Sequence, residues 1–312
     1  MALGAQSDSH LSGQAGSETN AQMAQGATSN GKIGPTILMC EPEFFDVTYK
    51  INPWMTPEKW QTHSGSFLHE AQHGWQVLRQ LYLDSGFAVE TVKPATGSPD
   101  LVFTANAAIV LNGRVLLARF RFEERRAEEA HFLKTFDRLE AEGKVDQVIF
   151  MPEGIAQEGA GDCVFDPTRK LFFAGYGPRS DKKAIPVIEK IFDIPVIPLD
   201  LNTPEFYHTD VCICPLSGGH IMFYPGAFSD ESRSAIRKAA GNKAIEVSRE
   251  DADAFALNAV NYGDKIVMAE CSKQLEKTLH AAGYEVIKVP VKNFGMAGGS
   301  VWCMSLRLDN RT

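Results

Sequence analysis

Residues 101–120 read LVFTANAAIVLNGRVLLARF. Two apolar runs flank Asn112-Gly113, and an Asn-Gly pair between such runs is the strongest short-range sign of a tight hairpin. The charged stretch from Glu123 to Glu142 follows and reads as a helix, and VDQVIFMP (145–152) reads as a strand. The unit is therefore strand, strand, helix, strand. A parallel βαβ series accounts for the helix between two strands but not for a hairpin that opens the unit.

The same order recurs along the chain. DCVFDPTRKLFFAGY (162–176) precedes a helix over 180–192 and the strand IPVIPLD. DVCICPLSGGHIMFYP (210–225) precedes a helix over 229–240, opened by Ser229-Asp230, and AIEVS. NAVNYGDKIVMAE (258–270) precedes a helix over 271–282, ended by Gly283, and YEVIKVPV. Upstream, ILMCEP and FFDVTYKI read as short strands. A helix from Pro57 to about Ser85 follows, with Phe67, Ala71, Trp75, Val77, Leu78 and Leu81 at helical spacing, and then the strand FAVETVKP. The hairpins begin at Asp100, Asp162, Asp210 and Asn258, so the later units repeat about every 48 residues. SVWCMSLRL (300–308) is left over as a final strand, able to close a ring onto the first unit. The expectation is an α/β fold of five pseudo-equivalent units, with helices outside and hairpins lining a central channel. Residues 35–312 would form a single domain.

Composition narrows the function classes. Of 312 residues, 44% are hydrophobic and 22% charged, as in an ordinary globular protein. A net charge of −8 argues against a nucleic-acid partner, since phosphate binding needs a basic surface. No apolar run reaches the length of a membrane span. No Gly-rich nucleotide-binding stretch is present. Residues 1–34 are rich in Ser, Gly, Ala, Gln and Asn, lack a large apolar cluster and are expected to be a disordered tail without a secretory or mitochondrial signal. Six cysteines at scattered spacing read as reduced thiols in a cytoplasmic protein. Cys212 and Cys214, with His208 nearby, make a zinc site conceivable, but no fourth ligand stands at zinc-site spacing, and buried cysteines on a strand are the simpler reading.

In a ring of repeats, equivalent junctions meet in space. Here they read SPDLVFTAN (98–106), QEGAGDCVF (157–165), YHTDVCICP (207–215) and GGSVWCMSL (298–306). They supply Asp100, Asn106, Glu158, Asp162, His208, Asp210 and Cys303. Taken singly, each has a plain structural reading: an Asp before a strand forms turns, and a strand cysteine packs in a core. Taken together, they form a cysteine–histidine pair ringed by carboxylates. A thiolate attacks an electron-poor carbon while an imidazole moves protons. Planar carboxylates around a thiolate match a cationic guanidinium.

On EGAGD, HTD and GG-S-x-x-C, the chain resembles the amidinotransferase superfamily of guanidino-modifying enzymes over about residues 36–308. That resemblance implies the five-bladed pentein, or α/β-propeller, fold. It implies Cys303 as nucleophile, His208 as acid–base, Glu158 as the group that orients His208, and Asp162 and Asp210 against the guanidinium. DVTYKINPWM (46–55) and VFTAN (102–106) are similar to the arginine dihydrolase branch. There the equivalents of Asn52 and Asn106 accept a ureido group, and those of Arg125 and Arg179 hold the substrate carboxylate. An amide at Asn106 makes chemical sense, because it can donate to a carbonyl oxygen that a carboxylate would repel. The implied activity is hydrolysis of arginine to ornithine, ammonia and CO2, with no metal or organic cofactor. The rivals are a deiminase or dimethylarginine hydrolase, which stop at citrulline, then an amidinotransferase. A different class is the non-catalytic, ribosome-binding pentein. TANAA and SVWC depart from the commoner pattern and bear on substrate identity, so a methylated or shorter guanidine stays open. A homo-oligomer is also left open.

Overall fold

The Asn112-Gly113 turn forms as its residues require: φ is 53° and 77°, the left-handed values of a tight hairpin. It joins β3 (Ala108–Leu111) antiparallel to β4 (Arg114–Leu117), in the register Leu111 to Arg114. A helix over Glu128–Ala141 buries Phe132, Phe136 and Leu139 on one face and returns the chain to β5 (Gln147–Phe150), parallel to β4. The computed structural model describes residues 35–312. The disordered tail expected over residues 1–34 lies outside the described residues.

Three further sheets repeat this plan. They are β6 (Cys163–Asp166), β7 (Leu171–Tyr176) and β8 (Val196–Asp200); β9 (Ile213–Pro215), β10 (Ile221–Phe223) and β11 (Ala244–Glu246); and β12 (Val260–Tyr262), β13 (Lys265–Met268) and β14 (Glu285–Lys288). In each, the first two strands are antiparallel and the third runs parallel to the second. Their crossover helices are Ala184–Phe192, Asp230–Ala240 and Lys273–Ala281. Ser229 and Ser272 cap the last two through side-chain oxygens that accept from Ser232 N and Leu275 N.

The first sheet is completed by the end of the chain. β1 (Thr36–Cys40) pairs parallel with β2 (Ala88–Val92) and antiparallel with β15 (Leu306–Arg307). This explains why FFDVTYKI is not the strand its composition predicts. β1 is already flanked on both edges, so residues 44–51 have no ladder to join and run as an irregular loop. The helix expected from Pro57 to Ser85 is two, Pro57–Gln61 and Ser64–Asp84. The longer one buries Ala71, Trp75, Leu78 and Tyr82. Each such large apolar side chain contributes about 1.5–3 kcal/mol on burial. Among the described residues, no helix is long and apolar enough to cross a membrane.

The final strand is shorter than its sequence suggests. Only Leu306–Arg307 is in the ladder, and Val301–Met304 form a turn. Cys303 therefore stands on a turn at a sheet end, not within a strand. Cys212 likewise precedes β9, leaving Cys214 alone on it.

Candidate active site

The five sheets begin at comparable points of the repeat, and the polar residue just before each first strand is Asn106, Asp162, Asp210, Asn258 and Cys303. Asp100, taken from the sequence as the start of the second unit, lies eight positions upstream of β3 in a short 3-10 turn. The five are buried and lie close together. Cys303 Sγ donates to Asp210 Oδ2 at 3.2 Å and receives a bond from Asn258 Nδ2 at 3.1 Å. Asn106 Nδ2 lies so close to Gly161 that a Cβ there would collide with it and press on His208 Nδ1, so position 161 has to be glycine.

His208 Nε2 meets Glu158 Oε2 at 2.8 Å. An ionised Glu158 makes that nitrogen the protonated one and leaves Nδ1 buried and without a hydrogen-bond partner. Glu158 is held ionised. Burial pushes its carboxyl up, but Arg179, with Nη1 at 2.9 Å, His208 and the Arg125 charge hold it well below the usual range.

Cys303 sits in the opposite environment. Burial pushes the Cys303 thiol well above its ordinary value, and the neighbouring Asp210 adds to the shift. Burial also lifts Asp210 to about 7, against the pull of His208 and the Cys303 S–H. Burial and Asp210 both favour the protonated thiol. A cation arriving at Asp210 would stabilise both anions at once.

Among the described residues, seven buried side-chain polar atoms lack a partner, and four of them belong here: His208 Nδ1, Asp210 Oδ1, Asp100 Oδ1 and Ser300 Oγ. Unpaired buried polar atoms are costly, and such a cluster marks where a ligand's own polar groups are expected. Asp162 presents no free oxygen: Oδ2 accepts from Ser180 Oγ at 2.6 Å and Oδ1 from Thr209 N at 3.1 Å. It braces the turn that carries His208 and Asp210. Asp100, whose Oδ2 takes the Tyr49 hydroxyl at 2.9 Å, offers the free carboxylate oxygen instead.

Neither arginine is the solvated surface residue that charged surroundings would give. Arg179 is buried between the rings of Phe122 and Tyr207 and spends two of its N–H groups, on Glu158 and on Ile51 O. The others remain to bind a carboxylate. Arg125 is engaged more fully: it grips Glu128 at 2.7 and 2.8 Å and also donates to Asp100 O and Asn106 Oδ1. The last bond, at 2.8 Å, fixes the Asn106 amide so that its NH2 group faces Glu158 O and Gly161. Asn52 is bound on both sides: Oδ1 accepts from Trp54 N and Met55 N, and Nδ2 donates to Ala297 O at 3.0 Å. It ties the 51–55 loop to Gly298, which at φ 94° opens the turn leading to Cys303.

Because Glu128 is fully buried, Arg125→Met is expected to cost roughly 3–5 kcal/mol of stability by stranding the carboxylate. Urea denaturation would measure it, and Glu128→Gln added to Arg125→Met should recover part of the loss.

Cys212 and Cys214 are buried, hydrogen-bonded thiols. Their thiols donate to His208 O, Thr209 O and Ala259 O. Among the described residues, no group of three His, Cys, Asp or Glu side chains could hold a metal ion. The residue that the sequence reading left without a role is Asn258. The only sequence sign of it is its place in the repeat, since a buried Asn before a strand otherwise reads as a turn former.

Comparison with known proteins agrees with this geometry. A family described as N,N dimethylarginine dimethylhydrolase, eukaryotic, matches residues 47–308. The bifunctional arginine dihydrolase/ornithine cyclodeaminase ArgZ of Synechocystis sp. is 42% identical over 273 residues, which are 87% of this chain and 37% of ArgZ. The N(G),N(G)-dimethylarginine dimethylaminohydrolase of Mycobacterium tuberculosis is 34% identical over 270 residues, 86% of this chain and 84% of that enzyme. The crystal structure of the ArgZ N-terminal domain bound to its substrate, from a cyanobacterial arginine dihydrolase, aligns with a TM-score of 0.80 and 39% identity, covering 89% of this chain and 99% of that domain. The chain thus spans little more than a third of the length of the bifunctional relatives and nearly all of that domain. The family match and the fold place the chain in the pentein superfamily. Within it, the chain belongs to the dimethylarginine hydrolase family, and it is also similar to the N-terminal domain of the arginine dihydrolase ArgZ.

Proposed function

We propose that this chain is a cysteine-dependent hydrolase of a guanidino substrate, an arginine dihydrolase that converts L-arginine to L-ornithine, two ammonia and CO2. The observation that carries it is the thiol of Cys303 held against Asp210, whose turn also carries His208, itself bonded to Glu158. The guanidinium faces the free oxygens of Asp210 and Asp100, with Asp162 behind them, and the substrate carboxylate meets Arg179, with Arg125 alongside. As the cation docks, the thiol passes its proton to His208 and the thiolate attacks the guanidino carbon. His208 protonates the departing ammonia, leaving a thiouronium. Water, deprotonated by His208, then releases citrulline and the thiol. In a second round the thiolate attacks the ureido carbon, with Asn106 and Asn52 donating to its oxygen, and expels the second ammonia, protonated by His208; water then cleaves the thiocarbamate from Cys303, and the carbamate released falls apart into ornithine and CO2. Acid–base assistance of this kind supplies roughly 10²–10⁴-fold. The likeness to ArgZ, whose N-terminal domain has been solved covalently bound to a reaction intermediate, supports a covalent course.

On the same reading, residues 35–312 are one catalytic domain, the five sheets are blades of an α/β propeller around a channel, and the protein works in the cytoplasm without a cofactor, alone or as a homo-oligomer. The match to the dimethylarginine hydrolase family favours a second reading, citrulline formation from a methylated arginine. Incubation with L-arginine and, separately, with dimethylarginine, scoring ornithine, citrulline, ammonia and dimethylamine, separates the two. No product from either would leave amidino transfer or a binding role.

The site also predicts a pH signature. A carboxyl raised to about 7 in the fold favours stability below its unfolded value of 3.8 and loses that contribution as pH rises through 7. A guanidinium that pairs with ionised Asp210 restores it. Thermal stabilisation of an inactive variant by arginine should therefore grow from pH 5.5 to pH 8. A shift that is flat across this window would remove Asp210 from the guanidinium.

A further inference from the structure

Asn258 is fully buried, and all four hydrogen-bonding positions of its amide are used. Oδ1 accepts from Ser300 N at 3.0 Å and Cys303 N at 3.1 Å, while Nδ2 donates to Asp210 O at 3.2 Å and Cys303 Sγ at 3.1 Å. The orientation is unambiguous. Rotating the amide by half a turn would set its NH2 against two backbone N–H donors and its oxygen against the Asp210 carbonyl. The sulfur therefore faces an N–H. That contact is a weak hydrogen bond to a thiol and a much stronger one to a thiolate.

We propose that Asn258 is a catalytic residue of the Cys303 nucleophile, whose amide N–H holds the sulfur as it becomes anionic while its amide oxygen fixes the 300–303 turn. The inference rests on Cys303 being the nucleophile, as argued above. Asp210 cannot supply this stabilisation, because a carboxylate accepts a hydrogen bond from the thiol but repels the thiolate. Asn258 is the neutral donor on the other side of the same sulfur. It stands at the position that Asn106, Asp162, Asp210 and Cys303 hold in the other units, so the repeat itself delivers it there. The bond also acts on geometry: with both the Cys303 N–H and Sγ tied to one side chain, the sulfur is aimed before substrate arrives.

The test uses two variants and reads the thiol directly. Asn258→Asp keeps an oxygen to accept from Ser300 N and Cys303 N but replaces the donor with a charge. Asn258→Ala removes both functions. Iodoacetamide inactivation of each is followed from pH 6 to pH 10, with digestion to confirm that Cys303 is the labelled residue. The expected result is a midpoint of reactivity displaced upward by at least one pH unit in both variants, with a tenfold slower rate at pH 7.5. kcat for arginine should fall about 10²-fold, with KM within threefold. Asn258→Asp is close to the original in shape, so it keeps the proposal testable should Asn258→Ala fold poorly. An Asn258→Asp profile that overlays the original, with activity retained, would reduce Asn258 to a support for the backbone and overturn the proposal. Alkylation does not need arginine. A shifted profile in a protein that turns over no arginine sustains the role of Asn258 and sinks the dihydrolase reading, and the reverse outcome does the opposite.

Discussion

Cys303→Ser is expected to abolish arginine turnover, by at least about 10⁴-fold in kcat, while the fold and the ligand site survive. The loss follows from the anion. Burial already pushes the thiol well above its usual value, and a hydroxyl ionises far less readily, so even a docked guanidinium could not draw out an alkoxide. The survival follows from the hydrogen bonds. A serine Oγ–H can donate to Asp210 and accept from Asn258 as the thiol does, so no buried group is stranded. Stability should change by less than about 1 kcal/mol. Ammonia release measures the first effect, and the urea midpoint with and without arginine measures the second. A serine variant retaining even one per cent of turnover would exclude covalent catalysis by Cys303. A variant that no longer binds arginine would instead make the sulfur part of the binding site.

Most of the architecture was legible because hairpin turns and helix periodicity are local. Asn112-Gly113 and Ser229-Asp230 each announce an element by their own chemistry, and their recurrence announces the ring. The errors came where a partner elsewhere decides the outcome. FFDVTYKI has strand composition, but β15, from the far end of the chain, occupies the edge it would need. SVWC is β-branched and aromatic and so predicts a strand around Cys303. Its backbone N–H is taken instead by Asn258 Oδ1, 45 residues away, which holds the segment as a turn. The site residues could be listed because repeat junctions must converge, but their employment could not. That Asp162 spends both oxygens on Ser180 and Thr209 while Asp100 keeps one free depends on which hydroxyls the neighbouring units bring. Arg125 illustrates the same limit: FEERRAEE looks solvated until Glu128 and Asn106 are seen to close around it.

Asn106→Asp is expected to divide the two halves of the reaction. The substitution is nearly isosteric, and Arg125 Nη1, 2.8 Å from Oδ1, should welcome the charge, so the fold should persist. What changes is the other arm of the side chain. The amide presents an NH2 to the site, and a carboxylate presents an oxygen. Towards arginine, a cation, an extra acceptor does little harm, and the first ammonia should be released within about tenfold of the original rate. Towards citrulline the exchange is severe. The ureido oxygen loses a donor and meets a negative charge in a dry site. Loss of one preorganised donor to a developing oxyanion costs about 2.7–4 kcal/mol, or 10²–10³-fold. Ornithine formation should drop by that factor while citrulline accumulates close to one per arginine consumed. Chromatography of products over a time course reads both numbers from one experiment. An unchanged ratio of ornithine to citrulline would move the second step to Asn52, whose Nδ2 is bound to Ala297 O and would have to be released as the 51–55 loop rearranges around the bound intermediate.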